Sequence, residues 1–482
     1  MSLLDRLVKE DKNGLHIGGE WRPASDGATI EVTDPATEDT IAEVASASPA
    51  DGIDAVAAAS DAAHEWAATA PRLRSDVLRK AFDLMLDNAE DLAQLITLEN
   101  GKTLVDSRDE VRYAAEFFRW FSEEAVRNVG EVYTAPAGDK RVMVLHQPVG
   151  VSVLITPWNF PISMGTRKIG PALAAGCTVV LKPASDTPLI ALALADILVA
   201  AGAPPGVVNV IPAHRSSEVV TPMLADQRVR KLSFTGSTET GRVLLAQAAQ
   251  RVLRTSMELG GNAPFLVFAD ADIDAAVEGA MVAKMRNAGE ACTAANRFYV
   301  EAPVADEFAK RFGQAMSALR VGPGSDEASD VGPLINAPTR DKVAELVETT
   351  ASAATVVTGG GAPAGRGYFF SPTVLSNVEP GSPILRTEIF GPVAPIVTFE
   401  NIDDAIAQAN DTEYGLISYV YSGDHKRALD IAESLEAGMI GINRGLVSDP
   451  AAPFGGVKQS GLGREGAHLG MMEYLEPKYI AT

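Results

Sequence analysis

The 482-residue chain is 46% hydrophobic and 22% charged, with a formal net charge of −22. That length exceeds one simple core and predicts two or three domains of a globular protein. The negative charge argues against nucleic acid or an anionic membrane as partner, and six scattered histidines without a Cys-x-x-Cys or His-x-x-x-His pair give no expectation of a protein-bound catalytic metal.

Residues 1–10 lack the sustained apolar core of a leader, and no apolar run reaches the ~18 residues of a membrane span. Two isolated cysteines make no disulfide framework, so a reducing cytoplasm is expected. Residues 50–68 are alanine-rich and 72–100 carry Leu and Ile at helical spacing, which predicts helices. Residues 131–147 read as an exposed extended segment. From 149 onward, strands (149–156, 177–181, 207–211, 229–234) alternate with helices (164–176, 189–201, 238–250). A second series has strands at 265–268, 298–300, 393–399, 417–421 and 439–442, with helices at 273–287, 402–409 and 428–435. Short apolar strands alternating with helices predict parallel sheets with ligands at the strands' C-terminal ends. Two α/β units meeting near residue 260 follow.

Of the two cysteines, Cys177 lies in an apolar strand and reads as structural. Cys292 sits in Asn287-Ala-Gly-Glu-Ala-Cys-Thr-Ala-Ala-Asn-Arg297, among small and polar residues. A buried apolar thiol is the ordinary condition of a cysteine; this context instead suits a nucleophile. Glu258, in the glycine-rich Met257-Glu-Leu-Gly-Gly261, suits a base.

These segments, together with Thr156-Pro-Trp-Asn-Phe-Pro161, Lys182-Pro-Ala184, Phe234-Thr-Gly-Ser-Thr238 and Glu388-Ile-Phe-Gly-Pro392, resemble the aldehyde dehydrogenase superfamily in order and spacing over nearly the whole chain. The resemblance implies two doubly wound α/β domains, cofactor and catalytic, plus a small β oligomerisation element. Its boundaries would be 1–125 and 147–258 for nucleotide binding, 259–445 for catalysis, and 126–146 and 465–482 for assembly. It also implies that Cys292 attacks an aldehyde and that the side-chain amide of Asn159 and the Cys292 N–H hold the resulting oxyanion. Loss of hydride to the nicotinamide leaves a thioester, which Glu258 helps water to hydrolyse. A homodimer or homotetramer is expected by the same analogy.

The one Gly-x-Gly-x-x-Gly match, 461–466, lies near the C-terminus and is set aside as a dinucleotide site. Gly236 and Ser237 instead end a strand and open a helix, whose free N–H groups can hold a pyrophosphate. The resemblance adds Trp158, Lys182, Ser185, Leu259, Glu388 and Phe390 as cofactor-binding residues. Where NAD-preferring relatives often have Glu, this chain has Ser185 beside a lysine. NADP is therefore expected, with NAD tolerated.

Arg167, Arg286 and Ser448 together are similar to the set that binds the distal carboxylate in succinate-semialdehyde dehydrogenases, and an arginine fork suits a carboxylate. The expected substrate is thus succinic semialdehyde, with glutaric semialdehyde or a broader range of aldehydes as the alternative. Three positions depart from the pattern. Ala294 removes a cysteine that could form a disulfide with the nucleophile, Glu290 replaces a commoner Gln and could oppose the thiolate, and Arg444 has either a compensating or a substrate-contacting role. Two rivals of another class are a cofactor-free thiol hydrolase using Cys292 and a non-catalytic binding protein.

Overall fold

The computed structural model describes residues 13–482; the leader reading of residues 1–10 and the first residues of the expected nucleotide-binding unit lie outside the described residues. Two sheets dominate. The first has eight strands in the order Glu20–Arg22, Leu15–Ile17, Val208–Val210, Val179–Lys182, Val151–Ile155, Val229–Thr235, Arg254–Glu258 and Gly461–Leu462. Its five central strands are parallel, and each outer neighbour joins antiparallel. All residues of Val151–Ile155 and Val179–Lys182 are buried, as strands covered by helices on both faces must be.

The second sheet has seven strands, ordered Thr355–Thr358, Thr373–Ser376, Val393–Phe399, Ala295–Glu301, Ala263–Val267, Ile417–Tyr421 and Met439–Ile442. Only Thr355–Thr358 pairs antiparallel. The segment expected to be extended is a hairpin, Glu131–Thr134 with Arg141–Pro148, and the tail strand Leu475–Ala481 completes its three-stranded sheet.

Helix boundaries follow local chemistry. Ser48 and Asp51 form a reciprocal capping box at the start of Pro49–Ala68. Pro161–Ala175 opens on proline and stops at Gly176, whose φ of 97° is the left-handed stop that glycine supplies. The helical spacing over 72–100 belongs to two helices, Pro71–Asp87 and Ala89–Asn100, divided at Asn88. The apolar spacing continues through the break, so periodicity alone did not reveal it. The helices Leu104–Glu124, Ala302–Ser317 and Ala337–Ala351 were not anticipated.

Strand Val151–Ile155 is flanked by Val179–Lys182, later in the chain, and by Val229–Thr235, later still. The direction of winding therefore reverses beside it, and such a reversal opens a crevice at the strands' C-terminal ends. Trp158 and Asn159 follow one strand there, and Gly236 and Ser237 the other. The dismissed Gly-x-Gly-x-x-Gly run crosses this sheet's edge: Gly461 packs its α-carbon against the Met257 carbonyl, leaving no room for a Cβ. Its glycine serves backbone packing.

Candidate active site

Cys292 lies in the turn between the short helical segment Arg286–Gly289 and the strand Ala295–Glu301. The approach is strained: Asn287 and Ala288 have φ of 50° and 51°, and Gly289 follows at 79°. Asn and Gly tolerate this region, whereas Ala does not without cost. Hydrogen bonds hold it. The Asn287 N–H donates to Asp106 Oδ2 at 3.0 Å, and its side-chain amide donates to the Asn159 carbonyl at 2.9 Å. Gly261 lies beneath the nucleophile turn, where a Cβ would come within 2.5 Å of the Cys292 carbonyl oxygen.

Asn159 is buried, and its Nδ2 donates to the Glu290 carbonyl at 3.0 Å while Oδ1 has no partner among the described residues. Its own carbonyl accepts from Lys102 Nζ at 2.6 Å. Lys102 is in turn paired with Glu110 at 2.6 Å, and Glu110 accepts the Ile162 and Ser163 N–H groups at the start of Pro161–Ala175. This buried ion pair anchors the turn that presents Asn159. The Cys292 N–H has no intramolecular acceptor among the described residues.

Glu258 ends its strand 2% exposed, with Oε2 unpartnered among the described residues. Burial, then the nearby Glu465 carboxylate, hold its pKa well above the ordinary carboxylate range. Burial likewise pushes the Cys292 thiol up to about 12; Glu388 and Glu258 add to this, and Arg167 and Arg286 oppose it. Glu290 is not among the strongest influences on that thiol. Its carboxyl turns instead to the Ile335 N–H, 3.1 Å from Oε1. Arg444 is exposed, and its charge acts on Tyr421.

A cavity of about 510 Å³ opens beside this turn. Arg286, Ser448, Tyr113 and Phe160 line it, with the carboxylates of Asp106, Asp109 and Asp330 in the same wall. Phe160 also packs with Met164, Ala291 and Ala294, and so links the cavity lining to the nucleophile turn. Arg167 is not part of this lining. It is 1% exposed, with Nε 2.5 Å from Glu465 Oε2 and its guanidinium 4.1 Å above the Phe454 ring. Glu465 also binds Lys168 at 2.5 Å.

The residues expected to hold a nucleotide gather around the crevice. Ser237 Oγ caps Thr238–Ala249 by accepting from the Thr240 N–H, and Gly236 N–H donates to the Glu258 carbonyl at 3.1 Å. Leu259 is buried under Gly241. Lys182 Nζ donates to Ser216 Oγ at 2.7 Å, and burial brings its pKa down to about 8. Ser185, Asp186 and His214 line a neighbouring cavity of about 210 Å³. Glu388 Oε1 accepts from the Gly261 N–H at 3.0 Å, and burial raises its carboxyl to about 7. The Trp158 and Phe390 rings meet edge to face at 5.4 Å. Thr235 Oγ1, at the C-terminal end of its strand, is buried without a partner among the described residues. A cation, hydroxyl donors and an unspent polar atom around a helix N-terminus fit a phosphate-bearing dinucleotide.

Sequence reasoning missed Asn287, Lys102, Glu110, Glu465 and Tyr113. The Asn-Ala-Gly run was a signal for positive φ at 287–289; the other four lie in no motif that marks their role, and what they hold or face is distant in sequence.

Residues 21–480 match the model of the aldehyde dehydrogenase family. The chain is 56% identical over 420 residues to a succinate-semialdehyde dehydrogenase of Paenarthrobacter nicotinovorans, covering 87% of this chain and 93% of that one. It is 48% identical over 465 residues to a glutarate-semialdehyde dehydrogenase of Pseudomonas putida, covering 96% of each. The crystal structure of an NADP dependent enzyme of E. coli is similar with a TM-score of 0.96 at 48% identity, covering 98% of both chains.

Proposed function

The chain belongs to the aldehyde dehydrogenase family and is an NAD(P)-dependent aldehyde dehydrogenase, and from that premise we propose that it oxidises succinic semialdehyde to the acid with NADP, tolerating NAD. The observation that carries the substrate is one cavity wall shared by Arg286 and Ser448, next to the nucleophile turn. The similarity to a glutarate-semialdehyde dehydrogenase keeps the five-carbon homologue as the second reading.

In this proposal the Cys292 sulfur, as thiolate, forms a bond to the aldehyde carbon while the carbonyl π pair moves to oxygen. The Asn159 amide and the free Cys292 N–H stabilise that oxyanion. Bound NADP supplies the acceptor for the hydride that leaves when the oxyanion collapses. Glu258 then takes a proton from water as the water oxygen bonds to the thioester carbon, and the C–S pair returns to sulfur. Burial of Glu258 makes it a stronger base than an exposed carboxylate. Trp158, Lys182, Ser185, Gly236, Ser237, Leu259, Glu388 and Phe390 would hold the nucleotide, with Lys182 and Ser185 on the 2′-phosphate side. Arg286 and Ser448 would hold the distal carboxylate; Arg167 would act from behind, since Glu465 already engages it.

The proposal includes a cytoplasmic homodimer or homotetramer, supported by the two isolated thiols and the three-stranded sheet bearing exposed Val132, Tyr133 and Tyr479. No helix among the described residues is long and apolar enough to cross a membrane. The decisive experiment assays aldehydes of three to six carbons, with and without a terminal carboxylate, against both nucleotides. The highest kcat/KM should fall on the four-carbon acid with NADP; equal values for a neutral aldehyde of equal length would refute the proposal.

A further inference from the structure

The cavity wall poses an electrostatic problem. Against the single lining cation Arg286 it sets Asp106, Asp109, Asp330 and Glu110, the last paired with Lys102. Burial raises the Asp106 pKa, with Lys102 and Arg286 opposing, which lessens that charge but leaves the other carboxylates. Net charge alone therefore does not hold an anion here, and hydrogen-bond donors must contribute. Arg167 is buried, ion-paired with Glu465 and covered on one face by Phe454, and it lies outside the cavity lining.

Tyr113 fills the gap between them. It lies on the helix Leu104–Glu124, lines the same cavity as Arg286 and Ser448, and its ring meets Phe117 edge to face at 5.0 Å. That contact restricts the ring. After burial, the groups acting most strongly on its hydroxyl are Arg167 and then Arg286. The phenol thus lines the cavity within electrostatic reach of both arginines. A phenol O–H donates to a carboxylate without needing a counter-charge of its own.

We propose that Tyr113 is a specificity-determining residue whose hydroxyl donates to the distal carboxylate alongside Arg286 and Ser448, with Arg167 as the positioning residue behind it. The proposal rests on the reading that this cavity receives the substrate's carboxylate.

The test compares full-length enzyme with Tyr113→Phe, using succinic semialdehyde and butanal, each with NADP. Tyr113→Phe should raise KM for the acid roughly tenfold or more, with kcat little changed, while KM for butanal moves less than twofold. Arg167→Lys should also raise KM for the acid in the parent, yet add little in the Tyr113→Phe background, because both act through one hydroxyl. The inhibition constant of succinate, read on the same variants, should rise in parallel. If Arg286→Ala is selective for the acid and Tyr113→Phe is not, the role of Tyr113 is overturned while the carboxylate pocket stands. If Arg286→Ala harms both aldehydes equally, the pocket and Tyr113's role fall together.

Discussion

The side-chain amide of Asn159 donates to the backbone carbonyl of Glu290 at 3.0 Å, joining the turn after one sheet's strand to the turn that presents Cys292. Asn287 donates to the same carbonyl at 3.3 Å and to the Asn159 carbonyl at 2.9 Å. The two turns are thus tied by several bonds, of which the Asn159 side chain makes only one. Asn159→Ala should therefore lower kcat by about 10²–10³, the usual loss for one oxyanion donor. The melting temperature should hardly move, since Lys102 and Asn287 still grip the residue's carbonyl. Steady-state kinetics and thermal melts on one preparation read both.

Cys292→Ala should abolish oxidation and any covalent adduct. Glu258→Gln should still acylate, giving a first-turnover burst, while steady turnover falls by roughly 10²–10⁴. Intact-protein mass spectrometry after mixing with substrate and nucleotide would detect the trapped acyl group. The base acts in its ionised form, and its pKa lies well above the ordinary 4.5. Hydrolysis in the parent should thus fail as pH drops through that raised value, a limb absent from the Gln variant.

Cofactor choice should respond to one residue. Ser185→Glu places an anion beside Lys182 where a 2′-phosphate is expected, and like charges brought together cost several kcal/mol. The kcat/KM with NADP should fall about a hundredfold, and that with NAD should hold or improve. Unchanged discrimination would show that the phosphate lies elsewhere.

Glu290 yields a pH prediction for stability. Burial raises its folded pKa well above 4.5, against the pull of the Ile335 N–H and Lys102. The folded state therefore binds an extra proton between the unfolded and folded values. Its stabilising contribution is full below the unfolded value and is lost as pH rises through the folded one. Glu290→Gln keeps an acceptor for Ile335 and cannot ionise. Its melting temperature should decline less steeply on the alkaline side, with little difference at acid pH.

Several elements were legible because their cause is local. Strands Val393–Phe399, Ile417–Tyr421 and Met439–Ile442 lie where apolar runs predicted them, since a strand packed into a core is mostly apolar. The helix Leu104–Glu124 was hidden by its mixture of charged residues with Phe117, Phe118 and Phe121. The pairing of Arg167 with Glu465 was not legible, because the two lie 298 residues apart and nothing near either residue announces the pair.

By itself the sequence determined which residues could carry the chemistry: a scarce thiol at 292, a carboxylate at 258 and an amide at 159, each within three residues of a glycine or proline that favours a turn. Those properties are covalent and local, so they survive being read one residue at a time. Only the tertiary structure decided which charges remain available to a ligand. Burial and long-range pairing set that outcome: they pair Arg167 with Glu465, lift Glu258 and Cys292 out of their ordinary ranges, and place Tyr113 in the cavity lining with Arg286.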